Sequence, residues 1–271
     1  KEIQLPNGST LLREIRVSPD GRHAVVAHIL ARFHLPTTQI ERGWINTNAL
    51  TLIDLKKMEA INTVLLDNID CGAANPWAAA WTADGASVVY SSDGDSRGDL
   101  YRLELACGTV SRLTRQFVGR AIMPSPAPAA PWRVAFAAQS LRAGAFWSYQ
   151  IHVLDASGRT PALASTIGGC WPRWSPDGTR LAHVRSGSDD TPSTLEIRSG
   201  PDLGASRVLG TPGVWHYYPA WSPDGSRLVY AVSPAHHEGE DWDLAIIDVA
   251  SGRETRLTQG RGNDRLPDWR R

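Results

Sequence analysis

Cysteine is scarce in this chain. The 271 residues hold three, Cys71, Cys107 and Cys170, and no two are spaced Cys-x-x-Cys. A zinc ribbon or a dithiol redox centre has no ligand set here, and the thiols are expected to be free or, for two of them, paired in a way the sequence does not specify. An excess of charge is missing too: 28 Lys and Arg offset 28 Asp and Glu. Nucleic-acid binders carry a basic stripe, and none is present. No apolar run reaches the roughly 20 residues that cross a bilayer as a helix, and the N-terminus shows no secretory leader. Nor does any long stretch repeat its apolar residues at the helical period of about 3.6.

What the chain has instead is a phrase that returns. Trp174-Ser175-Pro176-Asp177-Gly178 recurs as Trp221-Ser222-Pro223-Asp224-Gly225, with looser copies at Trp81-Thr82-Ala83-Asp84-Gly85 and Val17-Ser18-Pro19-Asp20-Gly21. The phrase is a turn by its chemistry. Pro presets φ at the second position, Asp accepts from the backbone just ahead, and Gly takes a positive φ. An apolar run follows each turn, as in Arg227-Leu228-Val229-Tyr230. Then come a polar loop, a second run such as Leu244-Ala245-Ile246-Ile247, a turn such as Asp248-Val249-Ala250-Ser251-Gly252, and a closing strand such as Thr255-Arg256-Leu257-Thr258. Each unit reads as four short antiparallel strands, a to d. A disguised copy, Pro131-Trp132-Arg133-Val134-Ala135-Phe136, follows a Pro/Ala-rich turn placed at residues 124–131. The anchors ahead of the turns fall at intervals of about 64, 46, 47, 47 and 48 residues, the first lengthened by an insertion at residues 30–48.

Four antiparallel strands per repeat of this length predict an all-β chain, a β-propeller, as one domain over residues 1–271. Five blades are expected, with six as the alternative. Residues 1–5 are left over as a candidate last strand, and residues 266–271 as a candidate first strand. Trp81, Trp174, Trp221 and Trp269 share the anchor position and are expected between blades, where large aromatics fill wedge-shaped gaps. Trp44, Trp77, Trp147, Trp171, Trp215 and Trp242 do not share it.

The succession Trp-Ser-Pro-Asp-Gly, apolar strand, second strand ending in Asp-x-x-x-Gly, then Leu-Thr resembles the WD40-like repeat of TolB-type propellers, over about residues 13–269. The resemblance is specific for the repeat rather than for an activity. It implies a protein of the bacterial cell envelope, periplasmic or at the cell surface with its leader removed; the cytoplasm is the alternative.

Strand alternation puts the b–c loops and the d-to-a connections at one end of every blade and the Ser-Pro-Asp-Gly turns at the other. The turns are short and stereotyped, whereas the first end collects the long irregular segments, so binding is expected there. The insertion supplies His34, Arg42, Trp44 and Asn46, and the next connection supplies Asn75 and Trp77. His216 and Tyr217 lead into strand a of the last full unit, Asp264 holds the corresponding place in the final remnant, and His236 lies in the last b–c loop. Amides, imidazoles and aromatics grip peptides or sugars by hydrogen bonding and stacking. His236-His237-Glu238-Gly239-Glu240-Asp241 is the most metal-like cluster, yet neighbours in an extended segment point to opposite sides, so no metal is expected. Gly94-Asp95-Ser96-Arg97-Gly98 matches an esterase elbow, which works only between a strand and a helix and here lies in a β-hairpin loop. The same loop has Arg97 where a calcium loop needs an oxygen ligand. No catalytic residue and no cofactor is assigned. The expected function is that of a monomeric, non-catalytic scaffold for a protein or peptide partner. The alternative is a propeller acting on a carbohydrate as a lyase, hydrolase or binding protein, with His34, Arg42, His216, Tyr217, His236 and Asp264 around its channel.

Overall fold

The computed structural model describes residues 2–31, 46–66, 78–92, 98–115, 117–129, 132–139, 149–155, 167–185, 191–235, 241–260 and 262–269. Their strands form five four-stranded antiparallel sheets, each built from strands consecutive in the chain. The first is β1 (Ser9–Val17), β2 (His23–Ala31), β3 (Asn46–Asp54) and β4 (Glu59–Leu65). The second is β5 (Ala79–Trp81), β6 (Ser87–Ser92), β7 (Asp99–Glu104) and β8 (Val110–Arg112). The third is β9 (Arg120–Pro126), β10 (Arg133–Gln139), β11 (Tyr149–Asp155) and β12 (Ile167–Gly168). The fourth is β13 (Cys170–Trp174), β14 (Arg180–Arg185), β15 (Thr194–Ser199) and β16 (Ala205–Leu209), and the fifth is β17 (Trp215–Trp221), β18 (Arg227–Ser233), β19 (Asp243–Asp248) and β20 (Glu254–Arg256). These are the blades of a five-bladed β-propeller, with no helix among the described residues. The chain divides into two compact units, Lys1–Pro124 and Ser125–Arg271.

The repeated phrase works as its composition predicts. Ser175 Oγ donates to Asp177 Oδ1 (2.5 Å) and accepts from the Arg180 N–H (2.9 Å). Ser222 does the same with Asp224 (2.6 Å) and Arg227 (2.9 Å), and Thr82 with Asp84 (2.6 Å) and Ser87 (3.0 Å). Gly178 and Gly225 close the turns at φ +70° and +69°, which favours glycine. The hydroxyl on the carboxylate, joined by backbone N–H groups, holds Asp177 and Asp224 down at about 2. The third turn departs from the sequence reading. β9 runs through Pro124 to Pro126, and the turn starts at Ala127, whose N–H bonds the Arg133 carbonyl (2.8 Å) as Ser175 N–H bonds Arg180 (2.8 Å). Proline is tolerated there because β9 is the edge strand of its sheet. The insertion also shrinks, since β2 extends to Ala31 and β3 starts at Asn46.

Strand d is clasped onto strand c by the Arg-Leu-Thr ending. Thr114 Oγ1 donates to Asp99 Oδ1 (2.6 Å) and accepts the Leu100 N–H (3.0 Å), while Arg112 pairs with Asp99 Oδ2 (2.5 Å). In the fifth sheet Thr258 accepts the Leu244 N–H (2.8 Å) and Arg256 reaches Asp243 (3.2 Å).

Contacts between successive blades also repeat. The N–H five residues before an anchor bonds at the head of the preceding strand c: Ala121 to the Gly98 carbonyl (2.9 Å), Gly169 to Tyr149 (2.8 Å), His216 to Ser193 Oγ (3.0 Å). In the last three blades the residue three before the anchor takes a left-handed φ: Met123 (+57°), Trp171 (+55°) and Tyr218 (+58°). In β13 and β17 this is a bulge, with register shifts between Cys170 and Arg173 and between Tyr217 and Ala220. Two anchor indoles then donate to the carbonyl just ahead of the previous anchor: Trp81 to Arg16 and Trp221 to Arg173, both at 2.9 Å. An arginine at the head of the preceding strand b covers the ring. Arg133 lies 4.5 Å from the Trp174 centroid and donates to the Gly178 carbonyl (3.2 Å); Arg180 lies 4.7 Å from Trp221 and donates to Gly225 (2.9 Å). Within the first unit, Val25, Ala27 and Leu50 pack against Val88, Tyr90 and Leu103 of the next blade. Among the described residues the two leftover ends form no strand; Ile3 and Leu5 pack on Ala24, Val26 and Ile53.

Candidate functional site

In the second unit the bulges of β13 and β17 carry aromatic rings at matching places. An extra residue in a strand re-aims its side chain, and here it brings Trp171 and Tyr218 edge to face at 4.6 Å. Tyr217 lies 5.8 Å from Tyr218, 5.3 Å edge-on to Trp242, and 6.5 Å from Trp215 in a stacked pair. The Arg265 guanidinium sits 5.2 Å over the Trp242 ring. Trp242 and Trp215 are buried and form the floor, Trp171, Tyr217 and Tyr218 are half-buried, and Asp264 and Arg265 are exposed. Met123 shares the left-handed position without an aromatic ring. The left-handed position thus recurs in the third, fourth and fifth blades, and the aromatic identity is particular to the last two.

The electrostatics keep this surface neutral except for Arg265 and Asp264. Burial raises both phenols above the usual tyrosine range, so they stay protonated and can donate. Beneath them, burial pushes the Cys170 thiol up to about 12, which leaves it without nucleophilic character near neutral pH. The assembled chemistry is stacking faces, hydroxyl donors, one cation and one carboxylate, which suits recognition of an extended polymer.

His216 and Tyr217 lie inside β17 rather than ahead of it. His216 is buried at 1% exposure. Its Nδ1 is 2.9 Å from the Ser193 carbonyl, and since a carbonyl only accepts, Nδ1 carries the proton. Burial lowers its pKa and keeps it neutral. Its Nε2 faces Gly210, where an added Cβ would sit 2.3 Å away. His216 thus pins the strand from within. Asp264 is exposed beside Arg265, its N–H bonded to the Trp242 carbonyl (2.8 Å). So of the sequence candidates, Tyr217 and Asp264 both meet Trp242, whereas His216 is buried against Ser193 and Tyr230. Asn46 is exposed at the head of β3 in the first unit. His34, Arg42, Trp44, Asn75, Trp77 and His236 lie outside the described residues, as do residues 93–97 and 236–240. Sequence reasoning left Trp171, Trp215, Tyr218, Trp242 and Arg265 out of the site. A usable signal was there: Trp171 and Tyr218 each stand three residues before an anchor tryptophan. Among the described residues, no three of His, Cys, Asp and Glu lie close enough to hold a metal.

No family model matches the chain. A 115-residue stretch, 42% of this chain, is 26% identical to hydrazine synthase subunit beta of Kuenenia stuttgartiensis, and it spans only 30% of that relative. Among solved structures, the chain is similar to a putative TolB from Agrobacterium tumefaciens, with a TM-score of 0.69 and 17% identity over 96% of this chain and 86% of that one. It is also similar to an oligogalacturonate lyase in complex with manganese, with a TM-score of 0.61 and 17% identity over 93% of this chain and 67% of that one. At these identities the likeness speaks for the propeller fold, shared with TolB-like proteins.

Proposed function

We propose that this chain is a non-catalytic binding scaffold, a single propeller domain of the cell envelope. In this reading it engages an extended segment of a protein or peptide partner on the aromatic surface of Trp171, Tyr217 and Tyr218. The observation that carries the reading is the edge-to-face pair of Trp171 and Tyr218 (4.6 Å), set on matching bulges and flanked by the Arg265 cation. Rigid, half-buried aromatics with protonated phenols offer contact area at little cost in conformational entropy. His34, Arg42, Trp44, Asn46, Asn75, Trp77 and His236 are proposed as further contacts from the connecting segments. The envelope placement rests on the likeness to TolB. A carbohydrate ligand is the second reading, favoured by the same ring faces and by the likeness to a lyase named for an oligogalacturonate.

Selection of a random peptide library on the native chain, counter-selected on a Trp171→Gly/Tyr218→Gly variant, tests the proposal. Glycine fits the left-handed backbone at both positions and removes only the rings. The expected result is a peptide family that shares a motif and is retained only by the native chain. Peptides that bind both chains equally, or a glycan array that yields saturable ligands where the peptide library yields none, would overturn it.

A further inference from the structure

At the turn end of every blade, the first residue of strand b stands opposite the last residue of strand c. The five pairs are His23 with Asp54, Ser87 with Glu104, Arg133 with Asp155, Arg180 with Ser199, and Arg227 with Asp248. Directly opposite residues share a face of the sheet, and opposite charges there stabilise the pairing. Strand c thus ends on a carboxylate in every blade except the fourth, where Ser199 stands. Arg180 therefore lacks the acid that Arg133 and Arg227 face. A second exchange adds to the first. Two residues back along strand c, Leu52, Arg102, Ile197 and Ile246 pair with Asn62, Ser111, Arg207 and Thr255 of strand d. Of these four strand d residues, only that of the fourth blade is a cation. Residues two apart on a strand point the same way, so Arg180, Ser199, Ile197 and Arg207 lie on one face.

That face borders a cavity of about 370 Å³ between the fourth and fifth sheets, closed on the other side by Asp248 and Val249. The two guanidinium groups are held in place without being neutralised. Arg207 donates to the Val249 (2.6 Å) and Ala250 (3.1 Å) carbonyls, and Arg180 to the Gly225 carbonyl (2.9 Å). Among the described residues Arg207 pairs with no carboxylate, and Arg180 only with the exposed Asp177 at 3.9 Å. Arg102, Arg112, Arg198 and Arg256, by contrast, each lie within 3.2 Å of a carboxylate. Asp248 is engaged elsewhere: it stands opposite Arg227, and its Oδ1 accepts from the Ser251 N–H (2.8 Å) and hydroxyl (2.7 Å). The Ser199 hydroxyl makes no hydrogen bond among the described residues. A guanidinium has five N–H donors, so most of those on Arg180 and Arg207 remain for a ligand.

We propose that this cavity binds a small molecule whose carboxylate takes the place of the missing acid, facing Arg180, Arg207 and the Ser199 hydroxyl. Its apolar body rests on Ile197 and Val249, both buried. Arginine suits such a group because its planar fork matches a carboxylate in two parallel bonds. The volume sets the size, near the lower end of the roughly 300–1,000 Å³ of small-ligand sites. The cavity shares no residue with the aromatic surface of Trp171, Tyr217 and Tyr218, and the proposal does not depend on that surface.

Benzoate serves as the probe, with benzamide as its uncharged counterpart. The side-chain Nε–Hε resonances of Arg180 and Arg207 in the full chain should shift saturably with benzoate and stay fixed with benzamide. Arg207→Gln should weaken benzoate about tenfold. Ser199→Asp restores the acid of the other blades; it should abolish benzoate binding and raise the melting temperature of the unliganded chain. An equal response to benzoate and benzamide, or no response of either arginine, would overturn the proposal. So would undiminished benzoate binding by Ser199→Asp, or inorganic phosphate bound more tightly than benzoate.

Discussion

Ser222 is buried and its hydroxyl serves two bonds: the proton goes to Asp224 (2.6 Å) and the oxygen accepts the Arg227 N–H (2.9 Å). Ser222→Ala leaves that N–H without its acceptor, at an expected cost of about 1–2 kcal/mol, read as a lower denaturant midpoint with unchanged slope. Gly210 shows the same logic sterically. Its φ of +96° disfavours any side chain, and a Cβ there would lie 2.3 Å from His216 Nε2. Gly210→Ala is expected to cost about 1–3 kcal/mol. Adding His216→Ala should recover part of the loss, so the double variant should be more stable than the sum of the singles implies.

At the scale of the element, the Asp-Leu opening of strand c and the Arg-Leu-Thr ending of strand d form one clasp. Thr114→Val keeps the shape but strips Leu100 N–H of its acceptor and Asp99 of a donor, both buried. The expected loss is about 2 kcal/mol, with faster amide exchange at Leu100. Strands and turns of this kind were legible in the sequence because each is specified within a few residues. The Ser-Pro-Asp-Gly turns and the strand b runs needed only turn chemistry and a period of two. The start of the third turn was misplaced by three residues because Pro124 and Pro126 look like turn residues, and edge-strand status, which permits them, is a property of the sheet. The bulges were invisible for a related reason. Met123, Trp171 and Tyr218 share a backbone conformation but no chemistry, and only pairing with strand b reveals the extra residue. Of the aromatic cluster, Tyr217 and Asp264 were named from the sequence because they were placed in connections, whereas Trp171 falls inside a strand where an aromatic ring is ordinarily core; the structure puts Tyr217 in a strand as well.

For the whole molecule, buried neutral histidines set the response to acid. Burial lowers the pKa of His28, His152, His183 and His216; for His183, Glu196 at 3.7 Å offsets part of that effect. Below the unfolded value of 6.5, the unfolded chain binds protons that the folded chain refuses. Their contribution is complete above 6.5 and is lost as pH falls through the depressed folded values. The turn aspartates act lower, between 3.8 and about 2, and weakly because they face solvent. A urea midpoint at pH 5 below that at pH 7.5 is the expected outcome, and an unchanged midpoint would contradict it. The paired aromatics of β13 and β17 are the proposed contact surface of this propeller. Calorimetric titration of a selected peptide into the native chain and into Trp171→Gly/Tyr218→Gly tests it most directly. About a tenfold or greater loss of affinity is expected for the variant, as when stacking anchors are removed, measured at a temperature where both proteins are folded. Equal affinity in the two proteins would contradict it.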